Sequence, residues 1–178
     1  MKWLQHLFGG PKDMAALTAG TKAPDFSLAA LDGSKFSLQD ALQRGTVFAA
    51  FFKVSCPVCQ YAFPYFERVY KAHGAAKVTF VGISQDNPRD TKAFLKEFGV
   101  TFRTLLDDPN GYAVSNAYGL TNVPTWFLIG ADGTIEMSSV GWAKADVEEL
   151  NRKLSDAEQS APRPLFQAGE EVQDFRAG

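Results

Sequence analysis

The chain has 178 residues, 46% hydrophobic and 21% charged, a size and balance that suit one soluble domain with a full core. A formal charge of −2 provides no basic excess for nucleic acid, and two cysteines are too few for a multi-bridge secreted scaffold. No apolar run approaches the roughly 18 residues of a membrane span.

Residues 1–20 read as an N-terminal arm in which Trp3, Leu4, Leu7 and Phe8 share one helical face before Gly9-Gly10-Pro11 ends it. The arm lacks the apolar core of a secretory signal, so the expected location is cytoplasmic, with export reserved for a chain that has lost a leader. "DFSLAALDGSKFSL" reads as a β-hairpin turning at Asp32-Gly33. Ser37 with Asp40 three residues later predicts a capped short helix that stops near Gly45. "TVFAAFF" (46–52) is a continuous apolar run, the pattern of a strand buried on both faces.

From Pro57 to His73 apolar residues recur at helical spacing, with Pro57 suited to the first turn, Gly74 to the exit, and Pro64 set to kink the interior. A second buried strand (77–84), an amphipathic helix from Pro88 to Gly99, a short strand in "FRTLLDD" and a short helix in "PNGYAVSNAYGL" follow. "PTWFLIGADGTIEMSSVG" predicts a hairpin at Asp132-Gly133, and "AKADVEELNRKLSDAEQ" the last helix. These elements imply an α/β domain with a mixed central sheet flanked by helices, over residues 21–158. Residues 159–178 read as a tail, disordered or laid on the surface, with Phe166 and Phe175 as its candidate anchors. Fifteen phenylalanines point to an aromatic core.

Both cysteines lie in "FFKVSCPVCQYAFPYF" (51–66), at the junction of a buried strand and a helix. Unpaired N–H groups and the helix dipole at that junction favour an anion, which lowers the pKa of Cys56. Cys59, one turn further in, is close enough to form a disulfide with it and better sheltered. A reactive outer thiol and a resolving inner thiol together make a dithiol exchange centre. Zinc is disfavoured, because the only other soft ligands are His6 and His73 and four are needed. A structural disulfide across one helical turn would close a loop too small to stabilise much, and inert thiols would leave the strand-to-helix placement unexplained. No metal and no cofactor is implied.

"CPVC" after a buried strand, Pro64 eight residues beyond Cys56, and "YGLTNVPTWFLI" together resemble the thioredoxin fold. "APDFSLAALDGSKFSLQDAL" and "FVGISQDNPRDTKAFLKEFGVTFRTLLDD" narrow the resemblance to the redoxin branch. That branch holds TlpA-like thiol–disulfide oxidoreductases and AhpC/TSA-related peroxiredoxins, and carries an added N-terminal β-hairpin and a central insertion. The resemblance implies that Cys56 is the nucleophile, that Cys59 resolves, and that Pro124 is cis and faces Cys56. It also implies that Val123 and Thr125 lend backbone groups to a substrate. Lys53, Gln85 and Asp86 are candidates for tuning the thiols. Three positions depart from the pattern: Ser55 replaces the usual Trp, Ala50 replaces thioredoxin's buried Asp, and the Glu of many TlpA-like proteins has only Gln85 or Asp86 nearby.

The resulting expectation is an enzyme that exchanges protein or small-molecule disulfides with a redox partner, and is weighted towards reduction because Pro-Val lacks the His of strongly oxidising members. Two alternatives stand beside it. A peroxiredoxin-like peroxidase would need a Thr where Lys53 stands, an upstream Pro and a suitable Arg, with Arg103 the available one. A redox-switched binding module would display aromatic residues such as Trp126, Trp142, Tyr61 and Tyr65.

Overall fold

The computed structural model describes residues 15–75 and 77–178, so the expected helical face at Trp3, Leu4, Leu7 and Phe8 lies outside the described residues. Asp32-Gly33 turns the hairpin of β1 (Ser27–Ala29) and β2 (Lys35–Ser37), with Gly33 at φ +84° and the Asp32 carboxylate accepting from the Ser34 N–H. Ser37 caps α1 (Leu38–Leu42) by accepting from the Asp40 N–H. Next come β3 (Thr46–Phe52), α2 (Pro57–His73), β4 (Val78–Ser84), α3 (Pro88–Glu97) and β5 (Arg103–Leu106). Helix α2 continues through Pro64 as one element.

The helix expected within residues 109–120 divides in two, because Gly111 and Tyr112 both take left-handed backbone at φ 61°. A 3-10 turn (Asp108–Asn110) precedes them and α4 (Ala113–Ala117) follows. The fully buried Asp107 accepts from the Val114 and Ser115 N–H groups and the Ser115 hydroxyl, so it serves the start of α4. The chain continues through β6 (Thr125–Ile129), β7 (Ile135–Val140), β8 (Trp142–Ala143), α5 (Lys144–Ala157) and β9 (Phe175–Arg176).

Five strands form a mixed sheet in the order β5-β4-β3-β6-β7, with β3 parallel to β4 and antiparallel to β6. Alternation along β3 divides its side chains between two cores. Phe48, Ala50 and Phe52 face α2 and α5, where Phe52 meets Phe63 at 4.4 Å and Phe48 meets Phe66 at 5.5 Å between ring centroids. Val47, Ala49 and Phe51 face the N-terminal hairpin, α1 and Tyr118. Because both faces are covered, the strand reads as an unbroken apolar run.

The hairpin and the segment before it guard the two sheet edges. Leu31 donates its N–H to the Thr104 carbonyl beside β5, and residues 20–23 exchange backbone bonds with Gly133 and Ile135 at β7.

Residues 159–178 are laid along the domain. Leu165 is buried in the α2/α5 core, and Phe166 packs on Tyr65 at 5.6 Å. Arg68 of α2 forms a two-pronged pair with Glu170, and the Trp142 indole donates to the Gln173 carbonyl at 2.6 Å. Phe175 does not anchor: it is 65% exposed, because alternation in β9 turns its side chain outward.

Candidate active site

Strand β3 ends in a tight loop at residues 53–56. The Asp86 carboxylate accepts from the Val54 N–H at 2.8 Å, the Gln60 amide donates to the Val54 carbonyl at 2.9 Å, and the Cys56 N–H reaches the Lys53 carbonyl at 3.2 Å. That loop delivers Cys56 to the N-cap position of α2. Its sulfur takes the place usually held by a Ser or Asp oxygen and accepts from the Cys59 N–H at 3.4 Å. The cysteines approach to 3.3 Å and are both reduced, Cys56 half-buried and Cys59 fully buried.

Their environments push the two thiols apart. Cys56 is lowered to about 6, first by the hydrogen bond from the Cys59 thiol, with burial opposing. The Cys59 and Val58 N–H groups and the charge of Arg176 lower it further. Cys59 is raised far above the ordinary thiol range, first by burial and then by its bond to Cys56, with the Asp86 charge adding to the rise. One sulfur is therefore a thiolate at neutral pH and the other a stored thiol.

Across from the sulfur the Val123–Pro124 peptide bond is cis, and the Cys56 sulfur lies 3.2 Å from the Val123 carbonyl oxygen, to which it donates only when protonated. The Thr125 hydroxyl is buried and donates to the Asn122 carbonyl at 2.8 Å, so it braces the loop. Val123, Pro124 and Cys56 are thus brought together.

The remaining candidates sit at different distances from the chemistry. Lys53 has an exposed side chain, and Asp86 holds the loop backbone. The Gln85 amide points to the Ser115 hydroxyl at 3.0 Å. Ala50 is buried on the Cys59 side of the sheet with no polar group to offer.

Two features on which the alternative readings depend are placed elsewhere. Arg103 does not serve Cys56: its guanidinium donates to the Ser34 hydroxyl and the Lys35 carbonyl and lies over Phe36, fastening β5 to the hairpin. Trp126 and Trp142 are 1% and 0% exposed, and Tyr65 is buried, so they build core rather than a recognition surface. Only Tyr61 of that group keeps a partly open ring, and the Arg176 guanidinium covers it at 4.8 Å. The role of Arg176 had no local signal, since "DFRAG" shows neither periodicity nor motif and its neighbours come from distant segments.

A strand-to-helix dithiol facing a cis-proline loop, on a five-stranded mixed sheet, defines a thioredoxin-fold thiol–disulfide oxidoreductase. The AhpC/TSA family model matches residues 19–138, and the chain belongs to that family. It is 30% identical over 139 residues to the thiol-disulfide oxidoreductase ResA of Geobacillus thermodenitrificans, covering 77% of this chain and 78% of that one. ResA of Halalkalibacterium halodurans is 30% identical over 140 residues, 78% of each chain. Among solved structures, a thiol:disulfide interchange protein of the thioredoxin family from Chlorobium tepidum aligns at TM-score 0.64 with 30% identity, covering 79% of this chain and 99% of that one. The thioredoxin domain of a Bacteroides vulgatus thiol-disulfide oxidoreductase shares the fold at TM-score 0.69 and 24% identity, over 78% and 98% of the two chains. No helix among the described residues is long and apolar enough to cross a membrane.

Proposed function

We propose that the enzyme reduces disulfides through Cys56 and Cys59, with Val123, Pro124 and Thr125 forming the wall against which the substrate docks. The observation that carries this reading is the Cys56 sulfur capping α2 beside the Cys59 thiol while it faces the Val123 carbonyl. The Cys56 thiolate attacks one sulfur of a substrate disulfide, forming a mixed disulfide and expelling the other sulfur as a thiolate that takes up a proton. Cys59 then gives its proton to water, or directly to the expelled thiolate where that has not drawn its proton from solvent, and attacks the Cys56 sulfur. The second substrate thiol departs, and two electrons have moved from the dithiol to the substrate. A separate dithiol donor must return the Cys56–Cys59 disulfide to the reduced state.

We assign the direction to reduction because the Pro-Val pair between the cysteines lacks the His that marks strongly oxidising members of this fold. That direction goes with a reducing glutathione pool, and the cytoplasm is the compartment we assign.

Equilibration with glutathione redox buffers, read by thiol alkylation, tests it. A potential above about −180 mV would reverse the direction and move the enzyme to an oxidising compartment. Cys56→Ser should abolish disulfide reduction, and Cys59→Ser should accumulate the mixed disulfide. A Cys56→Ser variant with undiminished reduction would discard the dithiol mechanism.

A further inference from the structure

Residues 174–178 lie outside the stretch that the family model matches, yet they end at the cis-proline loop. Their path is held at successive points. The Gln173 N–H donates to the Tyr61 hydroxyl at 2.9 Å, and the Lys144 N–H donates to the Asp174 carbonyl at 2.9 Å. Strand β9 then pairs antiparallel with β8 in the register Ala143–Phe175 and Trp142–Arg176. Since bonded pairs alternate along an antiparallel ladder, Trp142–Arg176, two residues on from Lys144–Asp174, is the pair that exchanges backbone hydrogen bonds.

Beyond the pair the contact is backbone on backbone. Gly141, at φ +76°, lies so close that a Cβ there would fall 2.5 Å from the Arg176 carbonyl oxygen and 2.8 Å from the Gly178 nitrogen. A Cβ on Gly178 would lie 2.8 Å from the Val123 carbonyl oxygen, and the Asn122 amide donates to the Gly178 carbonyl at 2.7 Å. The Val123 carbonyl, which faces the Cys56 sulfur at 3.2 Å, is therefore also walled by Gly178.

On the docking wall proposed above, an extended polypeptide pairing by strand addition would use that carbonyl and the adjoining edge of β8. Both are already taken. Cys56 itself stays partly exposed, so a compact disulfide with no backbone to seat can still reach it.

We propose that residues 174–178 are the chain's own occupant of the peptide groove beside Cys56 and set its substrate class: compact disulfides react directly, whereas polypeptide disulfides react only after this strand is displaced. The proposal rests on the thiol-exchange reading above. Arg176 over Tyr61 also places a cation next to Cys56, so occupancy and charge must be separated experimentally.

Two full-length variants do so. Arg176→Pro removes the N–H that the ladder needs, and Arg176→Gln removes the charge but keeps the pairing. For each, kcat/KM is measured at pH 8 with insulin and with bis(2-hydroxyethyl) disulfide. Both substrates report the same thiolate, so the insulin-to-small-disulfide ratio cancels any change in its nucleophilicity. The ratio should rise at least tenfold in Arg176→Pro and stay within twofold in Arg176→Gln. An unchanged ratio in Arg176→Pro, or an equal rise in both variants, overturns the proposal while leaving thiol exchange intact. If the unaltered protein turns over neither substrate, the exchange reading itself fails, and this proposal with it.

A second measurement leaves Arg176 in place. In Cys59→Ser trapped as a mixed disulfide, the Arg176 amide should lose hydrogen-exchange protection when the adduct is a cysteine-containing decapeptide and keep it when the adduct is 2-mercaptoethanol. Protection retained in both adducts overturns the proposal.

Discussion

The sulfur of Cys56 caps α2, and in the proposed exchange it is also the nucleophile; both roles call for the same electron-rich form. A cap accepts from the N–H groups of the first turn, and a thiolate accepts better than a thiol. The folded pKa near 6 lies below the unfolded value near 9. In the reduced protein this group's stabilisation is therefore fully present above about pH 9, shrinks between 9 and 6, and is lost as pH falls through 6. Iodoacetamide should accordingly modify Cys56 with a midpoint near pH 6 and leave the buried, raised Cys59 untouched in the native state. Because the Cys59 thiol is the largest cause of the shift, Cys59→Ala should move that midpoint upward, as the rate–pH profile would record. A midpoint unmoved in Cys59→Ala would transfer the effect to the helix N–H groups.

At the level of elements, buried polar groups join segments that hydrophobic packing alone would let slide. His73, at the end of α2, is 1% exposed and bonds Glu158 beyond α5 at 2.8 Å and Asn151 of α5 at 2.7 Å. The Asn151 amide in turn donates to the Arg163 carbonyl, so α2, α5 and the following segment meet at one histidine. His73→Ala should cost about 2–3 kcal/mol in urea denaturation, since two partners lose a bond in a dry site. Asp107→Ala should cost a similar amount, about 2–3 kcal/mol, by leaving the buried start of α4 without acceptors. The Arg68–Glu170 pair is only part-buried and therefore weaker. The guanidinium holds the Glu170 carboxyl down at about 2, so its contribution is present above about 4.5 and lost as pH falls through 2. Hydrogen-exchange protection factors, which are corrected for the intrinsic rate at each pH, should therefore fall across residues 167–173 between pH 4 and 2, ahead of the sheet.

In the whole molecule, the segment after α5 belongs to the folding unit instead of trailing from it. Leu165 is 8% exposed and shares a core with Phe66, Leu150 and Leu154. Leu165→Ala should lower global stability by about 2–3 kcal/mol, with one transition in the melt. An undocked tail would leave the midpoint unmoved. Phe48, which touches Phe66, Phe80 and Trp126, sets the upper end of the scale at about 3–5 kcal/mol for Phe48→Ala.

The central strand, the capped helices, both Asp-Gly hairpins and the dithiol junction were legible in the amino-acid sequence because each depends on neighbours within a few residues. An unbroken apolar run, a Ser three residues before an Asp, and a Pro at a helix start state their own geometry. The cis-proline loop was legible only through resemblance, since its place opposite Cys56 joins residues 67 positions apart. The tertiary structure alone decided the rest: Arg103 is turned to the hairpin, Asp107 to α4, and Trp126 and Trp142 inward. It also decided that residues 174–178 reach the Val123 carbonyl. Chain connectivity carries no local record of such meetings, because they depend on how a twisted sheet and its flanking helices bring distant backbone segments together.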